Sequence, residues 1–180
     1  MIFDASALPA PSTLKADLCV IGSGAGGLSA AVTAAHLGLE VVVVEKAPQF
    51  GGTTAWSGGW LWVPRNPLAL AAGIDEPPDA PRRYLRHLLG AQYDAARVEA
   101  YLAHAPAAVA FHLQHTALRF IDGNSIPDFH GRAPGAREGG RSVCAAPFDG
   151  RRLGPHLARL RPPLDLLSFL GMGIGGGADL

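Results

Sequence analysis

Apolar residues recur along this chain at two different spacings, and each spacing predicts a different element. Asp17-Leu18-Cys19-Val20-Ile21 is a short apolar run ending at Gly22, the pattern of a strand buried on both faces. From Ala25 to Leu37, the residues Leu28, Ala31, Val32 and Ala35 recur at helical spacing, and Gly38 supplies the stop. Val41 to Val44 is a β-branched run, too stiff at χ1 to favour a helix. Strand, helix and strand in so short a span predict a right-handed parallel βαβ unit that closes at Glu45.

Beyond Glu45 the pattern loosens. Residues 51–59 are rich in Gly, Thr and Ser and lie among Trp56, Trp60 and Trp62, after which Pro64 and Pro67 interrupt the chain. Pro77-Pro78-Asp79 predicts the start of a helix over 80–89, and Asp94 caps another through Val98, Tyr101 and Leu102. A third helix is expected to begin near Pro106 and to carry Val109, Phe111 and Leu113 to His115. Residues 118–121 read as a short strand, and 123–140 as a long loop of Gly, Pro and charge, a kind usually functional or mobile. A helical piece over 153–160 and a flexible glycine tail over 171–177 complete the reading.

Composition narrows the class. With 48% hydrophobic residues among 180, the chain has enough apolar surface for a core, and 23 Gly and 15 Pro grouped between apolar runs suit an α/β fold with long loops. A formal net charge of zero without a basic run excludes the footprint of a nucleic-acid or anionic-membrane partner. Cys19 and Cys144 have no paired spacing and read as buried, inert thiols. No leader pattern opens the chain, and nowhere do the ~18 consecutive apolar residues of a membrane span occur, so a cytoplasmic location is expected.

The chemistry concentrates in the first sixty residues. Gly22-Ser23-Gly24-Ala25-Gly26-Gly27 fits G-x-G-x-x-G directly after a predicted strand and at the start of a predicted helix. In that context Gly22 makes the tight turn, Gly24 lets a pyrophosphate approach the backbone, and Gly27 lets helix and strand pack closely. Amides at the helix start and the positive end of its dipole stabilise the anion without a lysine. Glu45 stands where a carboxylate accepts hydrogen bonds from the adenosine ribose, and it would repel a 2′-phosphate. FAD and NAD share these features. The second loop, with Gly52, Thr53, Thr54, Ser57, Gly58 and Gly59, offers another close backbone approach with small hydroxyl donors, which the longer FAD needs. An NAD-dependent dehydrogenase and a non-catalytic nucleotide-binding fragment stay open as alternatives.

These motifs, with Glu45-Lys46 and Gly51-Gly52-Thr53-Thr54, resemble the flavoprotein superfamily of fumarate reductases, succinate dehydrogenases and 3-ketosteroid dehydrogenases. Trp62-Val63-Pro64 with Asn66, Tyr84-Leu85, Gly139-Gly140-Arg141-Ser142, Pro147-Phe148-Asp149 and Leu153-Gly154 are most similar to the ketosteroid Δ1-dehydrogenase branch. The resemblance implies an α/β fold: a Rossmann-like FAD-binding βαβ unit followed by the start of an α+β substrate domain. Residues 1–66 and 67–117 would belong to the FAD-binding domain, and 118–180 would open the substrate domain. It implies that Gly22, Ser23, Gly24, Ala25, Gly26 and Gly27 bind pyrophosphate and that Glu45 binds ribose. Lys46, Gly52, Thr53, Thr54, Ser57, Gly58 and Gly59 would then line the flavin side. It also implies a longer protein, an FAD-dependent dehydrogenase acting on a steroid-like or other alicyclic ketone with a separate electron acceptor, of which this fragment alone would hold FAD poorly.

The substrate side is less defined. Ketosteroid dehydrogenases place a tyrosine near the substrate ring in a loop similar to Asp128-Phe129-His130, where this chain has Phe129, which cannot transfer a proton. His130 is a candidate acid or base. Arg132, Arg137 and above all Arg141 are candidates to hold a carboxylate or carbonyl oxygen. His112 and His115, three apart on a helix, lack the further ligands a metal needs.

Overall fold

In the computed structural model, which describes residues 13–169 and 172–173, the expected βαβ unit is present. Strand β1 (Leu18–Ile21) pairs in parallel with β2 (Val41–Val44), Leu18 opposite Val41 and Ile21 opposite Val44, and helix α1 (Ala25–His36) connects them. The pair is pinned at both ends. Asp17 N–H donates to the Glu40 carbonyl at 2.9 Å while the Asp17 carboxylate accepts from Glu40 N–H at 2.8 Å; at the far end Gly22 N–H reaches the Val44 carbonyl at 2.7 Å.

The helix meets the sheet through small residues. Ala31 and Ala34 are buried with Val20, whereas Leu28, Val32 and Ala35, which the sequence pattern selected, are exposed. Gly27, Ala31 and Ala34 fall on one helix face at i, i+4 and i+7. That face brings the helix axis close to the strands, and the larger side chains turn outward. Burial of the strands on both faces does not hold: Ile21 is 86% exposed and Cys19 is exposed too. Among the described residues α1 is the element packed on this two-stranded sheet, so one face stays open.

This unit takes in residues 13–57 and the later segment from Asp149. The expected helical piece lies within two short 3-10 segments over Gly150–Arg159 that meet at a kink at Gly154, where φ is +55, and the chain beyond them returns to the second glycine loop. Phe50 N–H donates to the Arg159 carbonyl at 2.9 Å, Arg161 N–H to the Phe50 carbonyl at 2.8 Å, and Trp56 Nε1 to the Pro162 carbonyl at 3.2 Å. Strands β6 (Ser168–Phe169) and β7 (Met172–Gly173) pair antiparallel. Met172 and Gly173, expected within a flexible glycine tail over 171–177, thus form a strand; the rest of that tail and the N-terminal twelve residues lie outside the described residues.

Residues 58–148 form the second unit. Strands β3 (Trp60–Trp62), β4 (Phe120–Gly123) and β5 (Ser142–Ala145) make an antiparallel sheet with β5 in the centre. Because β3 pairs with a strand some eighty residues later, this unit cuts across the consecutive segments 1–66, 67–117 and 118–180. Its core is Val63, Val109 and Val143, with Leu68, Ala105, Leu113 and Phe120 packed against it. Helix α2 (Pro67–Ala71) starts on fully buried Asn66, whose Oδ1 accepts from Leu68 and Ala69 N–H while its Nδ2 donates to the Val63 and Gly140 carbonyls. Helix α3 (Ala80–Leu89) matches the reading. The two helices expected on either side of Pro106 are one continuous helix, α4 (Ala95–His115). Val98 and Val109, three turns apart on one face, are both buried, and this shared packing carries the helix through the missing proline N–H.

Arg141 organises the second unit. Only 1% exposed, it donates Nε to both Glu76 carboxylate oxygens at 3.1 Å, one terminal nitrogen to Asp128 Oδ2 at 2.6 Å, and the other to Glu76 Oε2 and to the Gly135 carbonyl. Its guanidinium lies over the rings of Trp62 and Tyr84, 5.4 and 5.6 Å from their centroids. Two acids face one cation here. Asp128 is further satisfied by Trp62 Nε1 at 2.7 Å and Arg137 N–H at 2.9 Å. The 123–140 segment, which composition marks as functional or mobile, is thus tied to a buried charge cluster.

Arg141→Ala leaves two carboxylates buried without their cation and is expected to cost about 3–5 kcal/mol. Urea unfolding followed by tryptophan fluorescence reads this as a lower midpoint; an unchanged midpoint would show that the cluster contributes nothing to stability.

Candidate functional site

The turn between β1 and α1 is built almost without side chains. A Cβ added at Gly27 would lie 2.0 Å from the Gly22 carbonyl oxygen and 3.3 Å from Val20 Cγ1, so only glycine lets the helix start this close to the strand end. On the other side the turn is open: nothing lies within 4 Å of an added Cβ at Gly22 or Gly26. Gly24, the N-cap, provides no side chain, and the first helical amide, Ala25 N–H, instead donates to Thr54 Oγ1 at 3.0 Å. Thr54 therefore acts here as an acceptor rather than the donor expected from the sequence. Amides at a helix start present only donors, and the hydroxyl meets them with a lone pair.

The second glycine loop reaches the first through backbone. Gly52, at φ +58, would bring an added Cβ to 3.0 Å from Gly24 Cα, so a side chain there would be crowded by backbone and strained in conformation. A 3-10 turn over Gly52–Trp56 follows, and Ser57 closes it by donating N–H and Oγ to the Thr54 carbonyl at 3.0 and 2.9 Å.

Glu45 points at the turn. Its Oε2 accepts from Ser23 Oγ at 2.6 Å and Ser23 N–H at 3.0 Å, and its Oε1 accepts from Ala47 N–H at 2.9 Å. The Ser23 hydroxyl in turn accepts from Gly51 N–H at 3.0 Å. These donors hold the carboxyl down to about 2 from its ordinary 4.5: the Ser23 hydroxyl first, then the Ala47 and Ser23 amides, and least the positive charge of Arg161, all against the opposing effect of partial burial.

The structure thus gathers Gly22, Ser23, Gly24, Ala25, Gly26, Gly27, Glu45, Gly52 and Thr54 around one turn. Lys46 and Thr53 are exposed on the same unit. Gly58 and Gly59 belong to the second unit, where their carbonyls accept from Cys144 Sγ at 3.3 Å and Ala145 N–H at 2.9 Å.

On the substrate-side candidates the second unit is specific. Arg141, expected to meet a substrate oxygen, is buried with its guanidinium engaged by Glu76, Asp128 and Gly135, which leaves it no face toward a ligand. Phe129 is 97% exposed. Its neighbours are fixed: Asp128 is buried, and His130 N–H donates to the Tyr84 hydroxyl at 3.3 Å. The His130 residue itself is exposed, as is Arg132, and Arg137 donates to the Asp75 carbonyl at 2.7 Å. His112 and His115 pack around Phe111, with centroids 5.4 and 5.1 Å away. Among the described residues no three His, Cys, Asp or Glu side chains gather as a metal site, and no helix is long and apolar enough to cross a membrane. The pairing of Arg141 with Glu76 and Asp128 escaped the sequence reading. The available signal was an arginine two residues before the apolar pair Val143-Cys144, a position that demands a counter-charge if buried.

Comparison with known proteins agrees with the glycine motifs. The sequence profile of the FAD binding domain matches residues 17–178. The 3-oxosteroid 1-dehydrogenase of Mycobacterium tuberculosis is 44% identical over 146 residues, 81% of this chain and 26% of that protein. The 4-oxocyclohex-2-ene-1-carboxylate 5-dehydrogenase of Sinomonas cyclohexanicum is 38% identical over 168 residues, 93% of this chain and 28% of that protein. A crystal structure of 3-ketosteroid Δ1-dehydrogenase from Sterolibacterium denitrificans, in complex with 1,4-androstadiene-3,17-dione, aligns with a TM-score of 0.80 at 35% identity, covering 89% of this chain and 29% of that one. The chain spans about a quarter of the length of the curated relatives it matches.

Two measurements test the turn. Gly27→Ala is expected to destabilise by about 1–3 kcal/mol through overpacking, whereas Gly26→Ala, with open space beside it, should be neutral or stabilising; equal thermal midpoints for the two variants would refute the close approach. The carboxyl of Glu45 is lowered in the folded chain, so its contribution to stability is complete above its ordinary 4.5 and is lost as pH falls through about 2. Glu45→Gln should therefore flatten the acid limb of stability in that window, as read by urea unfolding at stepped pH.

Proposed function

Because this chain belongs to the FAD binding domain family, we propose that it is part of an FAD-dependent dehydrogenase that moves a hydride between a ketosteroid-like or other alicyclic ketone and the flavin. The observation that carries the cofactor reading is the bare glycine turn with the Glu45 carboxylate fixed beside it. Thr54 Oγ1 on the Ala25 amide shows that an oxygen fits the helix start, as a phosphate oxygen must. Gly22 to Gly27 would cradle the pyrophosphate, Glu45 would accept a ribose hydroxyl, and Lys46, Gly52, Thr53, Thr54, Ser57, Gly58 and Gly59 would serve the flavin side.

Bound flavin supplies the hydride acceptor, and the protein supplies orientation and charge. Glu45, ionised throughout the physiological range, anchors the adenosine end and disfavours a 2′-phosphate. The relatives' names share a ring bearing an oxo group, on a steroid in one case and a cyclohexene carboxylate in the other, which supports a ring ketone as the substrate class. Phe129 offers an apolar, fully presented ring and no proton. Removal of the partner proton therefore falls to another group, and a separate electron acceptor belongs to the same reading. A cytoplasmic setting belongs to the same proposal.

The full-length protein should purify yellow and release FAD on denaturation, and Glu45→Ala should weaken FAD binding about 10- to 100-fold, the loss expected for a hydrogen bond to a charged group. A colourless protein that binds NAD would overturn the reading.

A further inference from the structure

Ser23 occupies the first variable position of the glycine motif, where its hydroxyl would be expected to face phosphate. It does not. The side chain is 2% exposed and turned inward, with its hydroxyl proton directed to Glu45 Oε2 at 2.6 Å and a lone pair receiving Gly51 N–H at 3.0 Å. One hydroxyl thereby joins three parts of the unit that are remote in sequence: the first glycine turn, the acid at the end of β2 and the start of the second glycine loop. The Ser23 amide donates to the same Oε2 at 3.0 Å, which fills that oxygen, and Ala47 N–H takes one side of Oε1 at 2.9 Å. A carboxylate offers roughly four acceptor directions. Three are used, and the last lies on Oε1.

We propose that Ser23 is a positioning residue for the adenosine end of the cofactor: its hydroxyl locks Glu45 against the second glycine loop so that a single oxygen, Oε1, is presented to a ribose hydroxyl. The proposal rests on the FAD reading above. A free glutamate at a strand end samples several rotamers, and ordering it costs affinity on binding. A glutamate clamped at one oxygen is ordered beforehand. The clamp also couples cofactor grip to the second loop, since any movement of Gly51 pulls on the hydroxyl that holds the acid. The other charges at this corner are Arg161, which acts on Glu45 from the returning segment, and Lys46, its neighbour in the chain.

A serine that merely fills space and one that positions Glu45 differ in whether their effect needs the acid. With the hydroxyl present Glu45 stays ionised to about 2. Ser23→Ala removes the largest cause of that lowering and the bond that orients the acid, while the Ala47 and Ser23 amides remain, so Glu45 stays ionised at neutral pH but is less firmly held. The experiment is FAD titration of the full-length apoprotein at pH 8, by flavin fluorescence, for the parent, Ser23→Ala, Ser23→Thr, Glu45→Gln and the Ser23→Ala/Glu45→Gln double variant.

S23A should bind about tenfold more weakly than the parent, the effect of one lost hydrogen bond to a charged group. S23T, which keeps the hydroxyl, should restore the parent affinity. In the E45Q background the alanine substitution should have little further effect, because the partner it positions is gone. Two results overturn the proposal: parent affinity in S23A, or the same loss factor with and without Glu45. Circular dichroism identifies an S23A protein that has not folded, and a failure of S23T to bind like the parent then overturns the proposal as well. Absence of FAD binding by the parent would instead remove the functional reading itself, a separate outcome.

Discussion

The first turn of α1 begins so near the end of β1 that a methyl group at position 27 would overlap the carbonyl of Gly22, and the rest of the nucleotide-binding unit follows from that contact. Close approach at the helix start requires close approach along its length, and Ala31 and Ala34 continue the small face over the strands. Bulk is displaced outward, which is why Leu28 and Val32 are exposed. With side chains cleared from the turn, its polar character is that of peptide groups alone: donors at the helix start, aligned with the helix dipole. Whatever binds there must bring its own negative charge or lone pairs. In this structure the Thr54 hydroxyl does so.

The second unit solves the opposite problem. Its long irregular segment has little apolar surface, and it is held by charge buried at Arg141 instead. An ion cluster of this kind is a weak source of net stability, since desolvation offsets much of the attraction. Its strength is geometric. Five N–H groups in a rigid plane accept only one arrangement of Glu76, Asp128 and Gly135, and the flanking rings of Trp62 and Tyr84 fix that plane. A guanidinium used in this way is unavailable to a ligand. What it does instead is set the backbone on either side of Phe129, so that an exposed aromatic ring stands on an anchored stem.

Legibility in the sequence divides along the same line. The βαβ unit, the glycine turn and Glu45 were readable because each depends on residues close in the chain and on conformations few residue types allow. Family resemblance extended that reading to the second loop. What could not be read depends on partners far apart: Ser23 and Glu45 are separated by 22 positions, Glu76 and Arg141 by 65. Nothing local to Ser23 distinguishes a hydroxyl turned to phosphate from one turned to an acid, and Arg141 in a glycine-rich context reads as a surface residue until its counter-charges are placed. Pro106 misled for a related reason. The local rule ends a helix there, but Val98 and Val109 are buried on one continuous face, and tertiary packing outweighs one lost hydrogen bond.

The same contrast bears on how a dehydrogenation would be shared among these residues. Two hydrogens leave such a substrate, one as hydride and one as proton, and the proton needs a base within hydrogen-bond reach. Phe129 has no lone pair to offer. Tyr84, whose hydroxyl accepts from His130 N–H, is 5% exposed and stacked on Trp62. Arg141 is committed to its acids. At the 128–130 corner, then, Asp128 is buried and bound to Arg141 while Phe129 and His130 are exposed, and of those two exposed side chains the imidazole is the one that carries a lone pair.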